Sequence, residues 1–90
     1  MRFEWDETKR AANIAKHGVD FTAIVAFEWE TALVRPDTRE DYGELREAAL
    51  GFIGARLHAV VFTEREDDVV RVISLRRATK KELMFYAENS

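Results

Sequence analysis

Four cationic side chains fall within six residues near the C-terminus of a 90-residue chain whose formal net charge is −3. They are Arg76, Arg77, Lys80 and Lys81, in the stretch ISLRRATKKEL that runs from Ile73 to Leu83. Residues 69–90 hold five basic and two acidic side chains, a net charge of +3, so residues 1–68 carry −6. A basic end on an acidic body indicates either a focused anion-binding site or a surface that a partner covers.

The order Thr79-Lys-Lys-Glu82 is the pattern of a capping box, which predicts a helix that begins at Lys80. Lys80 and Lys81 then occupy the first two helical positions, where the helix dipole disfavours cations by about 0.3–1 kcal/mol each. The free N–H groups of a helix start suit an anion, and an arginine at the end of the preceding strand would reinforce a phosphate site. The alternative is that these long side chains extend into water at little cost, and the residues alone leave both interpretations open.

Two adjacent arginines at the end of the last predicted strand should point to opposite faces of the sheet. Strict alternation places Val70, Val72, Ser74 and Arg76 on one face, and Arg71, Ile73, Leu75 and Arg77 on the other. The first face becomes polar towards the end of the strand, so Arg76 could stand in a groove. One arginine of the pair then has a structural role.

Proton carriers are few. His17 ends the first predicted helix, where the dipole stabilises the protonated imidazole, so it could serve as a general acid or, as we favour, merely cap the helix. His58 alternates with Val60 and Phe62, which predicts a packed, hydrogen-bonded core histidine. Glu82 serves the capping box and Tyr86 lies on the same helix face, so both could border a site at the helix start.

Composition limits the remaining classes of protein. With 47% hydrophobic and 34% charged residues the chain predicts one folded domain over residues 1–90. No apolar run approaches the roughly 18 residues of a membrane span, and the N-terminus lacks the apolar region of a signal peptide. The absence of cysteine excludes disulfides and thiolate metal sites, and two histidines disfavour an imidazole site. We therefore expect a cytoplasmic protein without a metal or cofactor.

The patterns predict the order β-α-α-β-β-β-β-α. Both helices of the N-terminal hairpin have start signals, Asp6 and Asp20, and Gly18 ends the first. The predicted strands are Arg2–Trp5, Thr31–Arg35, the second half of Glu44–Gly54, Leu57–Thr63 and Val69–Leu75. We expect an α+β fold, with the helical hairpin on one face of a mostly antiparallel sheet and a helix at the C-terminus.

Several motifs occur in an order that resembles the BrnT toxins of bacterial type II toxin–antitoxin systems, over nearly the whole chain. They are Lys-His-Gly at 16–18 after Trp-Asp at 5–6, Gly-Glu-Leu-Arg at 43–46, Phe-Thr-Glu-Arg at 62–65, and Ile-Ser-Leu-Arg-Arg-Ala-Thr-Lys-Lys-Glu at 73–82. The resemblance implies a RelE-like ribonuclease fold and metal-independent RNA cleavage that stops translation. It also implies a BrnA-type ribbon-helix-helix antitoxin, in a higher-order complex that contacts operator DNA through the antitoxin. The rival is a non-catalytic module that binds protein or nucleic acid through the basic strip.

The resemblance implies roles for particular residues. The catalytic candidates are His17, Arg65, Arg76, Glu82 and Tyr86, and the candidate substrate-binding cations are Lys16, Arg77, Lys80 and Lys81. In this hypothesis Arg76 and Arg65 stabilise the charge of the transition state, and His17 or Glu82 transfers protons. Two positions depart from the family: Phe27-Glu-Trp-Glu30 replaces a Phe-Asp-Pro-like segment, which could alter an edge or partner surface, and Leu75 replaces an alanine, which could narrow the site.

Overall fold

A five-stranded sheet organises the chain, and the computed structural model describes residues 1–90. The elements in chain order are β1 (Arg2–Glu4), α1 (Glu7–His17), a 3-10 helix (Phe21–Ala26), β2 (Leu33–Pro36), β3 (Glu47–Ile53), β4 (Arg56–Arg65), β5 (Val69–Arg77) and α2 (Lys80–Asn89). The strand order in the sheet is β1-β5-β4-β3-β2, with β1 parallel to β5 and every other pair antiparallel. The predicted α+β class with a mostly antiparallel sheet is confirmed. Neither α-helix has the length and hydropathy needed to cross a membrane.

The first predicted helix forms with its predicted ends, whereas the second is a short 3-10 helix. The Asp6 carboxylate accepts a hydrogen bond from the N–H of Lys9, and Gly18 ends α1 in the left-handed conformation at φ 70°. In the second segment Phe21, Ile24 and Phe27 are buried at a spacing of three residues. A helix with three residues per turn aligns these positions on one side, so the 3-10 form presents all three to the sheet.

The core lies between these helices and one face of the sheet. Nine buried side chains form it: Phe21, Ile24, Phe27, Ala49, Val60, Phe62, Val70, Val72 and Leu75. Trp29 packs against this cluster, with its ring 4.6 Å from that of Phe27 and 5.1 Å from that of Phe62. The Phe27–Glu30 segment therefore contributes side chains to the core, and its first residue, Phe27, forms an isolated β-bridge with Ile53, the last residue of β3.

A β-bulge in β5 changes which residues share a face. Val61 pairs with Ser74, whereas the next residue of β4, Phe62, pairs with Val72, so Ile73 is an extra residue. Val70, Val72 and Leu75 accordingly all lie in the core, and Ser74 and Arg76 lie on the opposite face. The strict alternation predicted from sequence, which placed Val70 and Val72 with Arg76, is therefore wrong. The sequence does not show the bulge, because the bulge depends on the register with β4.

Leu75 is fully buried on the core face, so it does not narrow a site at Arg76, contrary to the expectation from sequence. The predicted opposite orientation of Arg76 and Arg77 is confirmed, since they pair with consecutive residues of β4, Ala59 and His58. His58 is buried, with Nδ1 2.9 Å from the carbonyl oxygen of Arg56, as predicted for a core histidine.

A buried amide joins α1 to the edge of β5. β1 pairs with β5 only at Val69–Arg71, so the later residues of β5 have no strand on that side. Asn13 takes this place: its Nδ2 donates to the carbonyl of Leu75 at 2.7 Å, and its Oδ1 accepts from the Leu75 N–H at 3.1 Å. Nδ2 also donates to the Val19 carbonyl at 2.9 Å. α1 therefore fixes the part of β5 that carries Arg76.

Candidate active site

Arg76 and Glu82 form a bidentate ion pair where β5 ends and α2 begins. Arg76 Nη1 and Nη2 donate to the two carboxylate oxygens of Glu82 at 2.7 and 3.0 Å, and the side chains are 33% and 27% exposed. The pair raises the pKa of Arg76 and lowers that of Glu82. Glu82 is therefore ionised at neutral pH, which makes it unsuitable as a proton donor.

The predicted capping box is present and uses the same carboxylate. Thr79 Oγ1 accepts from the N–H of Glu82 at 3.2 Å, and Glu82 Oε1 accepts from the N–H of Thr79 at 2.8 Å. Glu82 thus closes the first turn of α2 and holds Arg76 in place at once. The position of the guanidinium depends on the helix cap.

His17 lies close enough to Arg76 for the charge of the arginine to act on it. Partial burial lowers the pKa of His17, and the positive charges of Lys16 and Arg76 lower it further. These effects act against the helix dipole, which favours the protonated ring. The lowered pKa makes His17 less suited to the role of a general acid, which the sequence left open beside helix capping.

A groove of about 790 Å³ opens beside this pair, on the sheet face opposite the core. Its floor includes Ala48 and Leu50 of β3 and Ala59 and Val61 of β4, and α2 forms one side. Four cationic side chains line it: Arg35, Arg39, Arg76 and Lys81. These cations outnumber the two carboxylates of the lining, Asp37 and Glu82, and an excess of positive charge in a cleft attracts an anion.

Sequence reasoning missed Arg35 and Arg39. Arg39 lies near enough to Arg76 for its charge to lower the pKa of that arginine, against the larger effect of Glu82. The available signal was the Asp-Thr-Arg order at 37–39, in which the carboxylate can bond the arginine two residues later. It does so here, since Asp37 accepts from Arg39 Nε and Nη2 at 2.8 Å each.

The other predicted cations are dispersed. Lys80 and Lys81 begin α2 as predicted and are both exposed, but only Lys81 lines the groove. Arg77 is exposed on the opposite face of β5. Lys16 is exposed in the last turn of α1, close enough to His17 to affect its pKa.

Arg65 and Tyr86 do not join Arg76. Arg65 pairs with Val69 beside the β4–β5 turn, whereas Arg76 pairs with Ala59, six residues away along β4, or about 20 Å. The expectation that Arg65 and Arg76 stabilise the same charge is therefore wrong for this structure. The Tyr86 hydroxyl donates to the Thr31 carbonyl at 2.8 Å, which anchors α2 to the segment before β2.

The fold and the site together define a small α+β domain with a groove whose lining is net positive, an arginine oriented by a carboxylate, and a histidine whose pKa is lowered. The chain matches, over residues 5–82, the family model described as ribonuclease toxin, BrnT, of type II toxin-antitoxin system. It is also similar to the 1.1 Å crystal structure of the Brucella abortus ribonuclease toxin BrnT, with 36% sequence identity and a TM-score of 0.71. The match covers 89% of this chain and 99% of the Brucella chain. A search of curated proteins found no match.

The chain belongs to the BrnT family of ribonuclease toxins. Because the family consists of toxins of type II toxin–antitoxin systems, membership implies an antitoxin partner.

Proposed function

We propose that this protein is a metal-independent endoribonuclease of the RelE-like, mRNA interferase type, which cleaves RNA in the cytoplasm and so inhibits translation. The observation that carries the proposal is Arg76, which Glu82 holds at the edge of a groove where cations outnumber carboxylates; His17 lies near enough for the charge of Arg76 to lower the pKa of the imidazole. These two side chains are a charge stabiliser and a proton acceptor, which transfer of a phosphodiester to a neighbouring hydroxyl requires.

In the proposed reaction a ribose 2′-oxygen attacks the adjacent phosphorus. In this proposal His17, which is not part of the groove lining, acts from the C-terminal end of α1: it accepts the proton of the 2′-hydroxyl as the new oxygen–phosphorus bond forms, and Arg76 stabilises the added negative charge. The bond from phosphorus to the 5′-oxygen then breaks, and Lys81, the one lysine that lines the groove, protonates that oxygen. The products are a 2′,3′-cyclic phosphate and a 5′-hydroxyl, and the groove supplies the positioning.

The remaining candidates take supporting roles in this proposal. Glu82 orients Arg76 and does not transfer a proton, because both of its oxygens are bonded to Arg76 and its lowered pKa makes it a weak base. Lys80 and Lys16 attract flanking phosphates from exposed positions. Arg65 and Tyr86 are left out of the reaction, since Arg65 is remote and the Tyr86 hydroxyl is bonded to Thr31.

We propose that the antitoxin is of the BrnA type and that a ribbon-helix-helix region of it contacts operator DNA in a higher-order complex. Family membership supports this part of the proposal. The net charge of −3 agrees with it, because direct binding to duplex DNA is favoured by a basic protein.

Arg76→Ala and Arg77→Ala form a matched pair that tests the proposal. Both variants lose one positive charge from adjacent positions, but only Arg76 lies in the groove. Purified protein is incubated with RNA in EDTA, with and without ribosomes, and the product ends are analysed. We expect cyclic-phosphate ends with the unmodified protein and Arg77→Ala, and a loss of at least a hundredfold with Arg76→Ala.

Growth arrest in cells should follow the same order, while circular dichroism should show both variants folded. RNA binding without cleavage by the unmodified protein, in every condition, would instead identify a non-catalytic binding module. Equal cleavage by the two variants would contradict the role of Arg76.

A further inference from the structure

We propose that Arg35 and Arg39 form a second phosphate-binding site for single-stranded RNA, on the side of the groove across from the start of α2. The proposal rests on the proposed ribonuclease function and adds the residues that bind the strand beyond the cleaved bond. Nothing in the motifs that resemble the family includes these two arginines.

The first argument is the charge of the groove. Its lining holds four cations and two carboxylates, those of Asp37 and Glu82. Each carboxylate is already bonded to an arginine, Asp37 to Arg39 and Glu82 to Arg76. The lining therefore has a net charge of +2 in a chain whose total is −3, which favours an anionic ligand there.

The second argument is that Arg39 is oriented and yet accessible. The Asp37 side chain is 3% exposed, and it accepts hydrogen bonds from Nε and Nη2 of Arg39, whose own side chain is 69% exposed. Arg39 holds the pKa of Asp37 down at about 2, so this partner is ionised at any physiological pH. The backbone fixes Asp37 in turn, because its N–H donates to the Arg46 carbonyl at 2.8 Å.

Arg39 thus repeats the arrangement of Arg76, since a carboxylate holds its guanidinium through two hydrogen bonds while the exposed side chain lines the groove. An arginine held in this way loses less conformational freedom when it binds a phosphate than one that is free in solution. Both arginines line the same groove, and they lie near enough for the charge of Arg39 to act on Arg76.

Arg35 completes the site from β2, the strand that ends just before the segment that holds Arg39. Its guanidinium carbon lies 5.6 Å from the centre of the Phe85 ring on α2, a cation–π contact that orients the side chain without a carboxylate partner. Arg35 also faces the same side of the sheet as Ala48, with which it pairs. Arg35 forms no ion pair with a carboxylate, so its charge is not neutralised.

The floor of the groove favours single-stranded RNA over a duplex. Small apolar side chains such as Ala48, Ala59 and Val61 leave room for unpaired bases, and the exposed Phe85 ring in the lining offers an aromatic face on which a base can stack. In a duplex the bases are stacked and paired, so only the backbone would meet the groove. An acidic peptide could use the same cations, but continuity with Arg76 favours the strand that contains the cleaved phosphate.

The test measures binding separately from cleavage, by using Arg76→Ala as the parent protein. A short fluorescent oligouridylate is titrated at several salt concentrations with this parent and with versions that carry Arg35→Ala, Arg39→Lys or Arg56→Ala in addition. Arg56→Ala is the charge-matched control, because Arg56 is exposed and lies outside the groove lining. Arg39→Lys keeps a cation near buried Asp37, so it guards against a loss of folding.

We expect Arg35→Ala to weaken binding about tenfold and to reduce the slope of log Kd against log salt by roughly 0.7, the value for one phosphate contact on a single strand. Arg39→Lys should weaken binding without this change in slope, since it keeps the charge but loses the oriented guanidinium. Arg56→Ala should alter neither quantity. A matching duplex should bind less tightly than the single strand.

The proposal would be overturned, even if the unmodified protein cleaves RNA, by one result: Arg35→Ala and Arg39→Lys show the same affinity and the same salt slope as Arg56→Ala. Conversely, loss of binding in these variants would uphold it even if no cleavage is found. Binding of polyglutamate in preference to oligouridylate, with the same dependence on Arg35, would also overturn it and assign the groove to an acidic protein partner.

Discussion

Replacing Asn13 with alanine should be among the most destabilising changes at a polar position. The residue is 6% exposed, and its amide makes three hydrogen bonds, two to the backbone of Leu75 and one to the Val19 carbonyl. Asn13→Ala removes the partner of both groups of Leu75 while leaving them buried. No other strand can take its place, because β1 pairs with β5 only as far as Arg71.

The magnitude follows from these unpaired groups. A buried donor or acceptor that loses its partner costs about 1–3 kcal/mol. We count the two Leu75 groups and not the Val19 carbonyl, because Val19 is only partly buried and water can replace the amide there. The free energy of unfolding should therefore fall by about 2–6 kcal/mol, which lowers Tm by about 10–50 °C in a domain of this size.

Urea unfolding followed by tryptophan fluorescence measures this change, with Asn89→Ala as the matched control. Asn89 is exposed and donates only to the Phe85 carbonyl within α2, so its loss should cost less than about 0.5 kcal/mol. Losses that agree within about 0.5 kcal/mol for the two variants would refute the reasoning, because burial and the β5 contact would then make no difference.

Two further predictions concern the helix cap and a carboxyl pair. Thr79→Ala should reduce the free energy of unfolding by about 0.5–2 kcal/mol and also slow RNA cleavage, because the cap positions Glu82. Thr79→Ser keeps the hydroxyl, so it should retain both stability and cleavage. An equal loss in the two variants would contradict the link between the helix cap and cleavage. A hydrogen bond with Glu64 raises the pKa of Glu47 to about 7 from its usual 4.5, so its contribution to stability is full below pH 4.5 and is lost as the pH rises through 7. Glu47→Gln should therefore raise Tm at about pH 8 and leave it nearly unchanged at about pH 4, and a gain that is the same at both pH values would argue against the carboxyl pair.

Local signals in the sequence predicted local structure well. The caps at Asp6, Gly18 and Thr79 each involve residues within four positions along the chain, so residue types alone specify them. Strand alternation placed Arg76 and Arg77 on opposite faces for the same reason. The predicted C-terminal basic cluster was correct as a position, and half of its cations, Arg76 and Lys81, line the groove.

Features that depend on contacts between distant segments could not be predicted. The bulge at Ile73 arises from the register of two strands. The lowered pKa of His17 arises from burial, from the adjacent Lys16 and from Arg76, which is 59 residues later in the chain. Asn13 did leave a signal, since asparagine inside a helix is unfavourable unless its side chain has a bonding partner. The partner itself, Leu75, could be found only in three dimensions.

The bulge has a consequence for how related chains are aligned. Because Ile73 is an inserted residue, the alternation of side chains between the core face and the groove face shifts by one residue between Val69–Val72 and Ser74–Arg77. A relative that lacks one residue between these segments would keep Leu75 inside and Arg76 outside, as a regular strand. A one-residue gap placed within the second segment would exchange them. A relative can therefore lack one residue at the position of Ile73 and still keep the arginine in the groove. An alignment that penalises gaps equally along β5 would place that arginine on the wrong face.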